Sequence, residues 1–209
     1  MGFQRNVFIN CPFDDAFRVL LQPLLFTVLY LDFNPLISET TSSGNIRIRE
    51  IINRIRSSKY AIHDVSRNEA LRMGDLPRFN MPYELGLDVG CQTFTGVRRL
   101  KQKKCLILDR EQYRYQQFMS DISGQDIKNH NDQPEILIRK IREWFSAIQA
   151  KHLPSSAEIW ESYAEFWADT EETLRRNKFT DDEISHLTFS DFIRLCKKWI
   201  LNHKSAIIP

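Results

Sequence analysis

Three short apolar runs, at residues 7–9, 60–65 and 104–108, constrain this chain most; each meets polar residues at once, Asn10, Asp64 and Asp109 marking the ends. Runs of that length, apolar on both sides, fit strands buried on both faces. Between them the apolar residues recur at helical spacing. Phe17, Leu20, Leu21, Leu24, Leu25, Val28 and Leu29 form one stripe, with Asp14 or Asp15 placed to cap its start and Pro23 placed to kink it. Ile48, Ile51, Ile52 and Ile55 form another. A third helix begins near Asn80-Met81-Pro82, and a fourth near Asp132 and Pro134 buries Leu137, Ile141, Trp144, Phe145 and Ile148. Residues 33–38 read as a further strand, weakened by Pro35, before a polar, flexible stretch at 39–44. This alternation predicts an α/β domain over residues 1–153, a doubly wound, Rossmann-like or flavodoxin-like, mainly parallel sheet. After Pro154 the pattern becomes purely helical. Ile159, Tyr163, Phe166, Trp167 and Leu174 give one stripe, Thr180 to Glu183 a capping box, and Phe192, Leu195, Cys196, Trp199 and Ile200 a last helix started by Ser190. Residues 154–209 are therefore expected to be a helical extension, packed on the body or used for self-association.

Composition removes several classes. With 42% hydrophobic and 27% charged residues the chain is ordinary globular material, and a net charge of +2 gives no reason to expect direct nucleic-acid binding. The longest apolar run, residues 20–31, contains Gln22 and Pro23 and is too short to span a bilayer, so no membrane association is expected. No signal peptide precedes the first strand, and Cys11, Cys91, Cys105 and Cys196 are too scattered for a zinc site or a disulfide scaffold. A cytoplasmic protein with core thiols and no metal is the expectation. A GxGxxG after the first strand, a GxxxxGK[ST] and an HExxH are all absent from the sequence, which disfavours dehydrogenases, P-loop enzymes and zincins.

In an open α/β sheet the ligand sits beyond the carboxyl ends of the strands. The polar groups there are Asn10, Pro12, Phe13 and Asp14 after the first run, Asp64, Ser66 and Arg67 after the next, and Asp109 and Arg110 after the last. The helix from Asn80 brings Tyr83 and Glu84 to the same rim. Glu84 is the sharpest candidate: placed in a first turn, where the macrodipole favours the ionised form, it either serves a sugar-transfer reaction or only steadies its helix. Asp64 either holds ribose hydroxyls or caps its loop. Arg47, Arg49, Arg54 and Arg56 read as a solvated helix face; the alternative is that one or two of them face the cleft and meet a phosphate. His63, on a buried strand, reads as structural rather than as a base, and Phe8 as core.

Taken together, VFINCPFDDAF, KYAIHDVSRNE, RFNMPYELGLDVG and CLILDREQYRYQQFMSDISGQDI resemble the nucleoside 2-deoxyribosyltransferase-like and TIR-like nucleotide-binding domains of bacterial anti-phage defence systems. The likeness covers residues 5 to 150, and the YELG block following a strand that ends in D-x-S is its specific element. The resemblance implies an N-glycosidase acting on NAD or a related nucleotide, with that nucleotide as substrate and no further cofactor. It places catalysis on Glu84 with Asp64, and substrate contacts on Asn10, Phe13, Asp14, Ser66, Asn80, Tyr83, Asp109 and Arg110. The sequence departs from the small deoxyribosyltransferases in the longer, more charged loop at 66–80 and in Asn10-Cys11-Pro12-Phe13, which lacks their glycine. Both departures point to water as acceptor rather than a second base.

The expected partners are the nucleotide, further copies of the chain and a defence-system protein. Residues 110–127, with Tyr113, Tyr115 and Phe118, are a candidate lid or interface, and Trp160, Trp167 and Trp199 mark another candidate surface. The alternative is a non-catalytic nucleotide sensor that oligomerises or engages a partner. Glu84 separates the two, since a sensor needs donors for phosphate and base rather than a carboxylate aimed at the sugar.

Overall fold

A computed structural model describes residues 2–38, 47–68, 79–122, 127–149 and 152–207. The polar stretch at 39–44 and most of the loop at 66–79 lie outside the described residues. The strands are β1 (Asn6–Asn10), β2 (Asn34–Ile37), β3 (Tyr60–Asp64), β4 (Lys104–Asp109) and β5 (Lys128–Asn129). They form one parallel sheet in the order β2-β1-β3-β4-β5. This is the doubly wound order whose direction of winding reverses between β1 and β3. Pro35 is tolerated because β2 is an edge strand. The two-residue β5 is too short to leave a periodic signal and was not expected from the sequence.

Alternate side chains of the strands feed opposite layers. Val7, Ile9, Ile62, Leu106 and Leu108 join one core with α1 (Asp15–Tyr30) and α4 (Pro134–Ile148). Phe8 and Ala61 meet Ile51 and Ile55 of α2 (Arg47–Ser57), and Ile107 meets Met81 and Leu85 of α3 (Asn80–Phe94). Asp14 caps α1 by accepting the Phe17 N–H at 2.9 Å, and the helix runs on through Pro23.

The helical extension consists of α5 (Ser156–Arg176), α6 (Asp181–Ser185) and α7 (Phe189–Ile207). It packs onto the α/β body: Ile159, Phe166, Phe192 and Trp199 belong to the same apolar cluster as Leu21 and Leu25. Consequently every residue of α1 from Leu20 to Tyr30 is buried. The apolar run at 20–31 is thus a helix surrounded by protein, and no described helix is long and apolar enough to cross a membrane. The Thr180–Glu183 capping box forms as expected. The last helix starts one residue before Ser190, with Thr188 Oγ1 accepting the Asp191 N–H at 3.0 Å.

Residues 110–122 are held down on their own sheet. Arg114, 5% exposed, donates through Nε to Asp109 at 2.9 Å and through Nη2 to the carbonyls of Val65 and Ser66. Tyr115 is buried, while Phe118, Met119 and Ile122 lean on Val65, Met81, Leu85 and Ile107.

Candidate active site

The loop that leaves β1 and the first turns of α3 face each other where the winding reverses. Between them lies a cleft of about 420 Å³ lined by Cys11, Pro12, Phe13, Asp14, Arg47, Asn80, Met81 and Glu84. That volume falls in the range of roughly 300–1,000 Å³ typical of small-ligand sites. A second groove of about 320 Å³ between α2 and α3 is lined mainly by apolar side chains such as Ile52, Leu87 and Phe94, and no carboxylate lines it.

Glu84 stands in the fifth position of α3, so it begins the second turn and not the first. Its side chain is 6% exposed, and it makes no hydrogen bond among the described residues. Burial pushes its carboxyl up to about 7, against a smaller downward pull from Arg47. The sequence expectation of a first-turn acid held ionised by the helix dipole is therefore corrected. Desolvation outweighs the dipole once the group sits a turn deeper against the cleft wall. A carboxyl poised near neutrality in a cleft is the arrangement that acid–base and nucleophilic sites use.

A chain of buried polar groups runs from β1 through β3 to α3, the helix that carries Glu84. Asn10 Nδ2 donates to the Met81 carbonyl at 2.8 Å and to His63 Nδ1 at 2.9 Å. With Nδ1 accepting, His63 carries its proton on Nε2 and donates it to Asp88 Oδ2 at 3.0 Å. Lys103 Nζ lies 2.9 Å from Asp88 Oδ1 and donates to the carbonyls of Ile55 and Ser58. Burial alone would push the Asp88 carboxyl up, but His63 and Lys103 outweigh it and hold the group below its usual value. Asn10 thus lies behind the cleft and ties the first turn of α3 to β1. His63 is structural, as the sequence suggested, and Phe8 is core with its ring edge-on to His63 at 5.9 Å.

The other sequence candidates divide. Phe13, Asp14 and Asn80 line the cleft with Glu84, and Phe13 is braced by Phe189 at 6.0 Å. Arg47 is the one member of the arginine set that lines the cleft. Tyr83 is 59% exposed and absent from the cleft wall, as is Arg110, whose Nε pairs with Glu111 at 3.0 Å. Asp64, Ser66 and Asp109 are buried behind the wall. Asp64 Oδ1 accepts the Ser66 N–H at 2.9 Å and the Ser66 hydroxyl, and its Oδ2 faces His130 Nε2 at 3.1 Å. His130 Nδ1 accepts the Asp132 N–H, which leaves the Nε2 proton turned to Asp64. Burial pushes the Asp109 carboxyl up, Arg114 pulls against it, and the neighbouring Asp64 adds to the rise. The ribose contact expected of Asp64 is therefore corrected: its carboxylate is fully buried behind the wall, with Oδ1 taken up by Ser66 and Oδ2 against His130 without a hydrogen bond among the described residues.

Asp64→Ala is expected to cost about 2–3 kcal/mol of stability by orphaning buried donors, read as a lower urea midpoint. A loss of nucleotide affinity at an unchanged midpoint would restore the ribose role.

Cys11 is a cleft residue that sequence reasoning assigned only to the core. Burial, and after it the carboxylates of Asp64, Glu84 and Asp14, push its thiol well up, so it stays protonated near neutrality and is a poor nucleophile. Asp88, Lys103, Arg114 and His130 were also missed. Each acts through a contact distant in sequence, which spacing does not reveal. Comparison of the chain with protein-family models, with curated proteins and with solved structures gives no match.

Proposed function

We propose that the cleft binds NAD or a related nucleotide and that Glu84 acts on its N-glycosidic carbon, making the protein a glycohydrolase. The observation that carries this reading is Glu84 itself, 6% exposed on the cleft wall and free of internal hydrogen bonds among the described residues. As the bond from ribose to a cationic nicotinamide breaks, positive charge moves onto the ribose carbon. An adjacent carboxylate offsets that charge or bonds to the carbon. Water then adds, so NAD and water give nicotinamide, ADP-ribose and a proton. In this reading Arg47 meets a phosphate, Asn80 orients Glu84 or the base, and the ring of Phe13 lies against a base; all three line the cleft. The wider role, an anti-phage effector that self-associates and meets a defence-system partner, is supported by the sequence resemblance.

The test is release of nicotinamide from NAD by the purified chain as a function of pH. The ionised carboxylate is the active form, and its pKa is raised to about 7. Turnover per unit of free enzyme and substrate is therefore expected to fall about tenfold per pH unit below that value and to level off above it. A limb near the ordinary glutamate value would contradict the raised pKa, and a profile with no carboxylate limb would remove Glu84 from the reaction. Nucleotide binding with no release at any pH would favour the sensor.

A further inference from the structure

Outside the cleft lining, Glu165 and Asp169 on α5 and His203 on α7 each offer one donor atom, all within 4.8 Å of one another. The carboxylates lie four residues apart and so share one helix face. Among the described residues neither has a lysine or arginine partner.

The histidine is held in a ligand's posture. Its ring stacks on the Trp199 indole, with centroids 3.7 Å apart and planes within 16°. His203 Nδ1 donates to the Trp199 carbonyl at 3.0 Å, which leaves Nε2 facing the carboxylates. Trp199 Nε1 in turn donates to Asp169 Oδ2 at 2.8 Å and fixes that group. Histidine ligands commonly have the second ring nitrogen tied to a backbone carbonyl in this way.

The spacing separates a cation slot from a simple ion pair. His203 Nε2 is 3.7 Å from Asp169 Oδ2, too long for a hydrogen bond. Two donors each about 2.0–2.1 Å from a tetrahedral zinc ion lie roughly 3.3–3.4 Å apart, so a small inward turn of either side chain completes the pair. The side chains are accessible, at 38% for His203 and 51% for Asp169, which leaves room for solvent ligands. We propose that Glu165, Asp169 and His203 bind one divalent transition-metal cation of the zinc class, clipping the end of α7 to α5. The sequence reading expected no metal, because His203 lies far beyond Asp169 in the chain and no motif links them.

The experiment is calorimetric titration of zinc into the chelator-treated full chain. One site per chain is expected. His203→Ala and Glu165→Gln should each weaken it at least about tenfold. Cys91→Ser should leave it unchanged, excluding capture by that half-buried thiol. Cobalt in place of zinc should show ligand-field bands without thiolate charge transfer. Absence of binding at micromolar zinc, or affinity unchanged in either His203→Ala or Glu165→Gln, overturns the proposal.

Discussion

Glu84→Gln is expected to lower nicotinamide release from NAD by a factor of about 10³ or more while nucleotide binding persists. The substitution keeps the shape of a side chain that lines the cleft and is 6% exposed, and removes only its charge. It has a second signature that does not depend on turnover. The folded-state pKa of Glu84 is raised to about 7, above its value in the unfolded chain, so the folded protein holds the proton more tightly. Its contribution to stability is fully present at acid pH and is lost as pH rises through about 7. Above that, keeping an ionised Glu84 buried costs stability, and Glu84→Gln should gain roughly 2 kcal/mol at pH 9, discounted for the open mouth of the cleft. Matching urea midpoints for wild type and variant at pH 9 would contradict the buried carboxylate. Wild-type turnover in the variant would contradict its catalytic role.

Lys103→Ala is expected to destabilise the fold by about 3–5 kcal/mol, the scale for breaking a buried ion pair from one side. The ammonium is held among Asp88 and the carbonyls of Ile55 and Ser58, with the lysine side chain 3% and the aspartate 4% exposed. Removing it strands a carboxylate in the interior. Asp88→Asn combined with Lys103→Ala should recover part of the loss, because the stranded charge is then gone. Chemical denaturation of the single and double variants reads both effects. A midpoint within experimental error of wild type for Lys103→Ala would show that Asp88 is satisfied by His63 alone.

The fold was legible because its signals are local. Continuous apolar runs, helical stripes and the Thr180–Glu183 box each declare themselves within a few residues, and the strands and helices follow them. The cleft was partly legible for the same reason: strand ends and helix starts put Phe13, Asp14, Asn80 and Glu84 on one rim. Two errors share one cause. Glu84 was set a turn too early and Asp64 was turned towards ligand, because sequence position fixes where a Cα lies, not how deeply its side chain is dehydrated. The layer behind the cleft was invisible. The Asn10–His63–Asp88–Lys103 chain joins β1, β3, α3 and the residue before β4, and nothing in the spacing of those residues marks them as partners.

The wrapping of α1 bears on how the protein comes into being. Leu20 to Tyr30 are made well before Phe166, Phe192 and Trp199, which cover their outer face. Until those residues leave the ribosome, one of the most apolar helices of the chain is half-dressed and dependent on holding factors or on a loosely collapsed intermediate. The extension is therefore no detachable module that recombination can trade for another. It completes the core around α1, and a chain cut before it is expected to expose that helix rather than to leave a smaller folded domain.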